Sequence, residues 1–290
     1  SLSGSVRTSA AIPGAVIVYI KDITHEVSQR QLIEKREQQQ ETLRAMSEQA
    51  INATSTHAFL SGVLPLLQSC FPVSNLKILK YRPRRKDLLL VEGIGWRDGL
   101  VGHATVATDH SSQAGYTLRG LRPILVTDLE NDQRFAGPDL LTSHGIRSGM
   151  SVIIGDKSAP WGLLGIHHDE LNHFSESDLK FTQIVANLIA ASVENLELQH
   201  WISTFSYIFQ HAGNRESLNE TLDFISRELC DRLGFTHVNI WTIASSRQCP
   251  LGSPNHLHPD WCARNIKQCY ILASNSSAPE EGGLECFPRR

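Results

Sequence analysis

Apolar positions along the chain recur first at strand spacing, then almost vanish, then alternate between strand and helix periods. Residues 5–11 and 15–20 read as two strands, the second being Ala15-Val-Ile-Val-Tyr-Ile20, with Pro13-Gly14 as the turn between them. β-branched and aromatic residues favour extended backbone in such runs. Asp22-Ile23-Thr24 ends the second strand and supplies a cap for a helix. Two strands bury no core alone, so residues 1–24 are expected to be the tail of a larger domain upstream. Residues 25–50 are helical and polar, with a sparse apolar seam through Leu32, Leu43, Met46 and Ala50 that shares its heptad frame with Arg36 and Gln39. That is a weak coiled coil. A helix with so little to bury either bridges domains or pairs with its copy, and pairing in a homodimer is the expectation here.

Residues 51–199 have the texture of one α+β domain. Phe59, Leu60, Val63, Leu64 and Leu67 mark one side of a helix over about 54–69, and strands are expected at 75–82 and 87–94. Gly93, Gly95, Gly99 and Gly102 punctuate the next turns. Arg122–Thr127 is a further strand, Asn131–Gly137 a loop and Pro138–His144 a short helix. Ser148–Ile154 and Trp161–His167 form a hairpin around the polar turn 155–160. Ser175, with Asp178 three residues on, makes a near capping box for a long helix carrying Leu179, Ile184, Val185, Leu188, Ile189, Val193 and Leu196. From about residue 200 a helix and then a strand at 236–243 repeat the order of 51–82, as though a second copy of the same unit began at 200–246. After Arg247 the apolar period is lost, and 247–290 is expected to be an irregular tail.

Length and composition narrow the class. The chain has 290 residues, 41% of them hydrophobic and 20% charged, which suggests about two domains. A net charge of −3 gives no reason to expect nucleic acid as a partner. The densest basic run, Arg82, Arg84, Arg85 and Lys86, reads as a solvated strand-to-strand turn. No window approaches the roughly 18 apolar residues of a membrane span. Six cysteines, only Cys70 within the first two hundred residues, make no disulfide framework, and a reducing cytoplasm is the expected setting. The chain does not open on Met, so a fragment of a longer protein is expected, and a membrane anchor in the parent stays open.

The stretch from Gly93 to Glu197 resembles a bacterial GAF domain. The resemblance rests on Gly99-Leu-Val-Gly-His-Ala-Thr105, Ser112-Gln-Ala-Gly-Tyr-Thr117, Pro123-Ile-Leu-Val-Thr-Asp-Leu129, Arg134-Phe135 and Leu140 through Ile154. It continues through Trp161-Gly-Leu-Leu-Gly-Ile-His167, Phe174-Ser-Glu-Ser-Asp178 and Ala186-Asn-Leu-Ile-Ala190, about half the chain in all. It implies an antiparallel sheet flanked by helices, with loops in front. The first segment resembles the last strands of a PAS domain entering its signalling helix, and 200–246 resembles the start of a second GAF domain. A chain of this kind is implied to be the sensory part of a bacterial sensor histidine kinase. The alternatives are a cyclic-dinucleotide cyclase or phosphodiesterase, or a GAF-containing transcription activator. The output domain would lie downstream.

The same resemblance places a ligand between the sheet and a covering segment of about Ala114–Ile146. Its candidate lining is Tyr116, Leu118, Phe135, Leu141 and His144, with Leu140 beside them and His167 at a strand end. Such a cup fits an unknown small molecule; equally, these side chains pack a second core and the domain is a dimer scaffold. Of His167 and His168 at most one points inward. Either an inward histidine or His144 is a candidate haem ligand, although His144, beside Gly145 at a helix end, more simply bonds the last carbonyls. A pocket cysteine for bilin attachment is missing between Cys70 and Cys230. Cys249, His256, His258, Cys262 and Cys269 are spaced poorly for zinc. No nucleophile elbow, phosphate loop or kinase nucleotide motif occurs, Asp169-Glu170 reads as a solvated turn, and no catalytic or metal-binding residue is assigned.

Overall fold

The computed structural model describes residues 2–8, 16–71, 73, 75–109, 111–135, 137, 139–235, 237–245, 268–275 and 286–288. The chain divides into two units, Ser1–Leu196 and Glu197–Arg290.

The first unit opens with the antiparallel pair β1 (Leu2–Thr8) and β2 (Val16–Asp22). The polar helix α1 (Thr24–Asn52) comes next, its start marked by the Asp22 carboxylate accepting the Thr24 N–H at 2.9 Å. The apolar seam divides between two environments. Leu32 is half exposed, whereas Met46 is fully buried and Leu43 and Ala50 pack against the same core. The C-terminal half of α1 therefore spends its seam on its own chain, packing along α2 (Thr56–Cys70). Ser55 caps α2, accepting the Ala58 N–H.

Six antiparallel strands form the main sheet: β3 (Asn75–Arg82), β4 (Asp87–Ile94), β5 (Thr105–Ala107), β6 (Ile124–Val126), β7 (Ser148–Asp156) and β8 (Ala159–His168). Their spatial order is β5-β4-β3-β8-β7-β6. The basic run is indeed the β3–β4 turn, and Arg82 closes it with a bidentate ion pair to Asp87. Alternation within the strands sorts side chains to two faces. Leu76, Ile78, Met150, Val152, Ile154, Leu164 and Ile166 point to the back, where they pack with α1, α2 and α5 (Glu176–Ala212). Leu79, Leu88, Leu90, Ile153 and Leu163 point to the front.

Two front elements escaped the hydrophobic pattern: β5 and the helix α3 (Gln113–Gly120). The eight residues of α3 include only two large apolar ones, Tyr116 and Leu118, too few to establish a helical period. Its sequence signal is Ser112, whose hydroxyl accepts the Gly115 N–H at 2.9 Å. Gly115 is required here by close approach, because a Cβ would sit 1.9 Å from the Asp109 carbonyl oxygen. The short helix α4 (Asp139–Thr142) lies within the expected 138–144.

α5 starts with the anticipated capping box. The Ser175 hydroxyl donates to Asp178 at 2.6 Å, and the backbone N–H groups of both residues are satisfied in the same exchange. Lys35 of α1 reaches the other Asp178 oxygen at 2.7 Å. Burial pushes the Asp178 carboxyl up, but hydrogen bonds from Lys35 and Ser175 outweigh it and hold it below the ordinary carboxylate value.

The second unit contains the end of α5, α6 (Leu218–Leu233) and a sheet of β9 (Asn239–Ser245), β10 (Gln268–Asn275) and β11 (Cys286–Pro288) in the order β11-β10-β9. Ser217 caps α6 at one end and Gly234, in the left-handed region, at the other. The expectation of an irregular tail fails at 268–275, where Cys269-Tyr-Ile-Leu272 pairs with β9. Tyr270 and Ile271 favour extended backbone, and the β9 edge supplies the pairing that completes the strand. Cys269 of the sequence-level metal cluster lies in that strand; Cys249, His256, His258 and Cys262 lie outside the described residues.

Candidate ligand site

The front of the main sheet carries a depression made by small residues. Strand register sets Gly93 of β4 opposite Lys77 of β3, Lys77 opposite Gly165 of β8, and Gly149 of β7 opposite His167 of β8. Large side chains lie down over these glycines. A Cβ on Gly93 would meet the Trp96 ring at 2.5 Å, and one on Gly149 would meet His167 Nδ1 at 2.3 Å. A Cβ on Gly165 would meet Lys77 Cε at 2.8 Å and His167 Nε2 at 2.9 Å. The three glycines thus form a trough in which Trp96, Lys77 and His167 are bedded.

Trp96 is delivered to the trough by the turn after β4. Gly95 takes a φ of 83°, which glycine adopts without a Cβ clash. The indole N–H then donates to the Leu76 carbonyl at 2.6 Å. From there the ring meets three side chains: Lys77 Nζ lies 5.6 Å from its centre, and the His144 and His167 imidazoles lie edge-on at 5.0 and 6.2 Å. It also packs against both apolar groups of the front face. One holds Leu79, Leu90, Leu118, Ile153 and Leu163; the other holds Ile124, Val126, Phe135, Leu141 and Ile146.

All six expected lining residues lie on this face. Leu118 belongs to the first apolar group, and Phe135 and Leu141 to the second. Tyr116 stacks obliquely on Phe135 at 5.8 Å. Tyr116, Arg119, Gly120 and Arg122 also line an open cleft of about 450 Å³. His144 and His167 flank Trp96 but differ in what their nitrogens do. His144 Nε2 accepts the Arg97 N–H at 3.2 Å, leaving Nδ1 to donate to the Leu140 carbonyl at 2.8 Å. Both nitrogens are spent, as expected of a histidine at a helix end, and neither lone pair is available to iron. His167 is fully buried, and neither of its ring nitrogens has a hydrogen-bond partner.

Lys77 was the residue that hydrophobic patterning could not select. It is only 2% exposed, and burial pushes its ammonium down to about 7. Burial, reinforced by the Lys77 charge, also holds the His167 imidazole well below its ordinary value. Gln113, at the start of α3, is buried as well, with its amide nitrogen unpartnered. Unmatched buried polar groups are costly, and of the two that lack a partner here, His167 and Gln113, His167 stands on the sheet in contact with Trp96. Trp96 itself carried a usable signal, since a tryptophan between Gly93, Gly95 and Gly99 combines great bulk with a flexible turn.

Two other groups have cofactor-like chemistry. His168, Glu170 and His173 bring their ligand atoms within 4.8 Å of one another. The two imidazoles are stacked 3.6 Å apart at an angle of 4°, and His168 Nδ1 accepts the Glu170 N–H. Imidazole lone pairs lie in the ring plane, so parallel rings do not converge on one ion, and the cluster is a stack rather than a chelate. Cys70 ends α2 against the back core, on the opposite side of the sheet from the trough.

The GAF domain family model matches residues 40–193, more than half of the chain and all six strands of the main sheet. The chain belongs to the GAF domain family. No curated protein sequence matches it. Among solved structures, the GAF domain of a phosphoenolpyruvate-protein phosphotransferase from Coxiella burnetii is 17% identical. The alignment covers 56% of this chain and 95% of that one, with a TM-score of 0.51. Free methionine-R-sulfoxide reductase from Neisseria meningitidis, solved with its substrate, is 16% identical over 56% of this chain and 91% of that one, with a TM-score of 0.50. Both likenesses establish the fold. GAF domains are sensory and signalling modules that bind small ligands and often dimerise. No helix among the described residues is long and apolar enough to cross a membrane.

Proposed function

We propose that this chain is the sensory input and relay segment of a bacterial signal-transduction protein, with a small ligand taken up in front of the GAF sheet. The observation carrying this reading is His167, wholly buried beside Trp96 with both ring nitrogens unsatisfied. A binding partner would supply what the fold withholds. His167 stands near the end of β8, and the chain reaches the α5 capping box only a few residues later. There Asp178 is held by Lys35 of α1. A ligand that favours one arrangement of the β8–α5 turn would shift the balance of that contact, and through it the setting of α1 and α5.

The wider arrangement is part of the proposal: a PAS-like end at 1–24, a signalling helix at 25–50, a GAF domain at 51–199 and the start of a second GAF-like unit at 200–246. The parent is a cytoplasmic sensor histidine kinase, dimeric through the N-terminal half of α1, where Leu32 and Ile33 stand exposed. Cyclases, phosphodiesterases and transcription activators are the alternative parents. Native mass spectrometry of the chain purified from its host, with an absorbance scan for haem, tests the sensory reading. A stoichiometric small molecule lost on His167→Phe supports it. A ligand-free chain whose dimer is unaffected by that substitution would leave the domain as a scaffold. Disulfide crosslinking of cysteines placed along 29–40 should show a seven-residue rhythm, and a flat profile would reject paired helices.

A further inference from the structure

We propose that the trough on the front of the sheet recognises a small organic carboxylate, with Lys77 as its counter-ion, His167 as its second donor and Trp96 as the movable cover. The inference rests on the ligand-binding reading above and adds the ligand's chemical class.

Three features converge on it. Lys77 and His167 come from adjacent strands, and both reach over Gly165. Lys77 Cε and His167 Nε2 each lie within 3 Å of the point where a Gly165 Cβ would stand. The Lys77 stem and the His167 imidazole therefore lie side by side against Gly165, where the missing Cβ leaves room for both. Neither imidazole nitrogen is engaged, and no carboxylate contributes to the Lys77 environment, which burial alone governs. An acceptor-only group with two oxygens meets this pair: one oxygen takes a Lys77 N–H, the other the single N–H of a neutral His167.

The surroundings favour an organic body over a bare inorganic ion. Trp96 covers the pair, and Tyr116, Phe135 and Leu141 pack next to it, so the ligand's remainder meets aromatic and aliphatic surface. A phosphate dianion has three strongly accepting oxygens and would need more donors than these two. The open cleft beside Tyr116 carries Arg119 and Arg122, a positive approach for an anion. The Trp96 indole N–H makes one hydrogen bond, to the Leu76 carbonyl, and packing against the two apolar groups holds the rest of the ring.

The test is a fluorescence titration of the full chain with sodium acetate, 3-methylbutanoate and benzoate. The amides of the last two are neutral isosteres, and inorganic phosphate is the competing anion. At least one organic carboxylate is expected to quench tryptophan emission saturably, with its amide weaker by about tenfold or more. Trp96→Phe should remove the signal while isothermal calorimetry still records binding. Lys77→Met should weaken binding by about 10- to 100-fold, the worth of a hydrogen bond to a charged group, with the far-ultraviolet circular dichroism unchanged. His167→Gln, which keeps an N–H donor, should retain more affinity than His167→Phe. Amides binding as well as acids, or Lys77→Met binding as tightly as the parent, would overturn the carboxylate inference and leave a ligand-binding hollow in place. Phosphate binding tighter than every organic acid would overturn it likewise. Silence from all three acids overturns it too, and if no small molecule co-purifies with the chain, the ligand-binding reading falls with it.

Discussion

Replacing Lys77 by Met should make the ligand-free protein more stable, by an amount that depends on pH in a defined way. Unfolded lysine titrates near about 10.4, whereas burial pushes Lys77 down to about 7 in the folded chain. Each unit of displacement corresponds to about 1.4 kcal/mol, so the buried amine costs folding roughly 4 kcal/mol at neutral pH. Proton counting gives the sign. Between about pH 7 and pH 10 the unfolded chain holds a proton on this amine that the folded chain has released, so stability rises with pH across that window. Below about pH 7 both states are protonated and the full cost applies; near pH 10 it is gone. Methionine keeps the apolar stem and forfeits the contact with Trp96, worth about 1 kcal/mol. A net gain of about 2–4 kcal/mol is therefore expected at pH 7, shrinking by about 1 kcal/mol per unit towards pH 10. Urea denaturation of both proteins at pH 6.5, 7.5, 8.5 and 9.5 measures it. A variant less stable than the parent at pH 7, or a difference that does not change with pH, would show that Lys77 is satisfied within the fold and is not held for a ligand.

Further substitutions probe the elements around the trough. Gly165→Ala should lower stability by about 1–3 kcal/mol by crowding Lys77 and His167, and thermal denaturation will register it. Asp178→Asn loses the charge that binds Lys35 and the α5 cap, at a cost of about 1 kcal/mol at neutral pH in denaturant titrations. Because the Asp178 carboxyl is held below its unfolded value, its contribution is present above about pH 4 and fades as pH falls further, so acid unfolding should separate parent from variant less and less below that point. Met46→Ala should cost about 2–5 kcal/mol, as a core truncation does. Full stability in that variant would refute the docking of the C-terminal half of α1 on its own chain.

Much of the scaffold could be read from periodicity because periodicity is what builds it. The strands at 75–82 and 87–94, the hairpin around 155–160 and the helix capped at Ser175 each carry several apolar residues at the spacing of the element they form. Elements with few apolar residues were legible in part or not at all. α3 announces itself only through Ser112 and Gly115, and β5 is three residues long. The coiled-coil frame in α1 was visible, but which partner each seam residue meets is a tertiary question. Met46 answers to α2 and the back of the sheet, while Leu32 stays exposed.

The trough escaped for a more instructive reason. In the run Leu76-Lys77-Ile78-Leu79-Lys80, alternation puts Lys77 on the same face as Leu79. An alternating strand with lysines is ordinarily read as half solvated. Only the cover supplied by Trp96 and the second apolar group turns that face into an interior, and the cover is contributed by residues 20 to 70 positions away. A residue type that is cheap on a surface becomes expensive once buried, and sequence spacing cannot distinguish the two settings. That expense bears on function. The sheet could bury a leucine at position 77 with a gain in stability, as it does at position 79. A lysine there burdens folding through its buried charge, and the histidine beside it has nothing to bond, so a ligand that engages the pair would offset both costs.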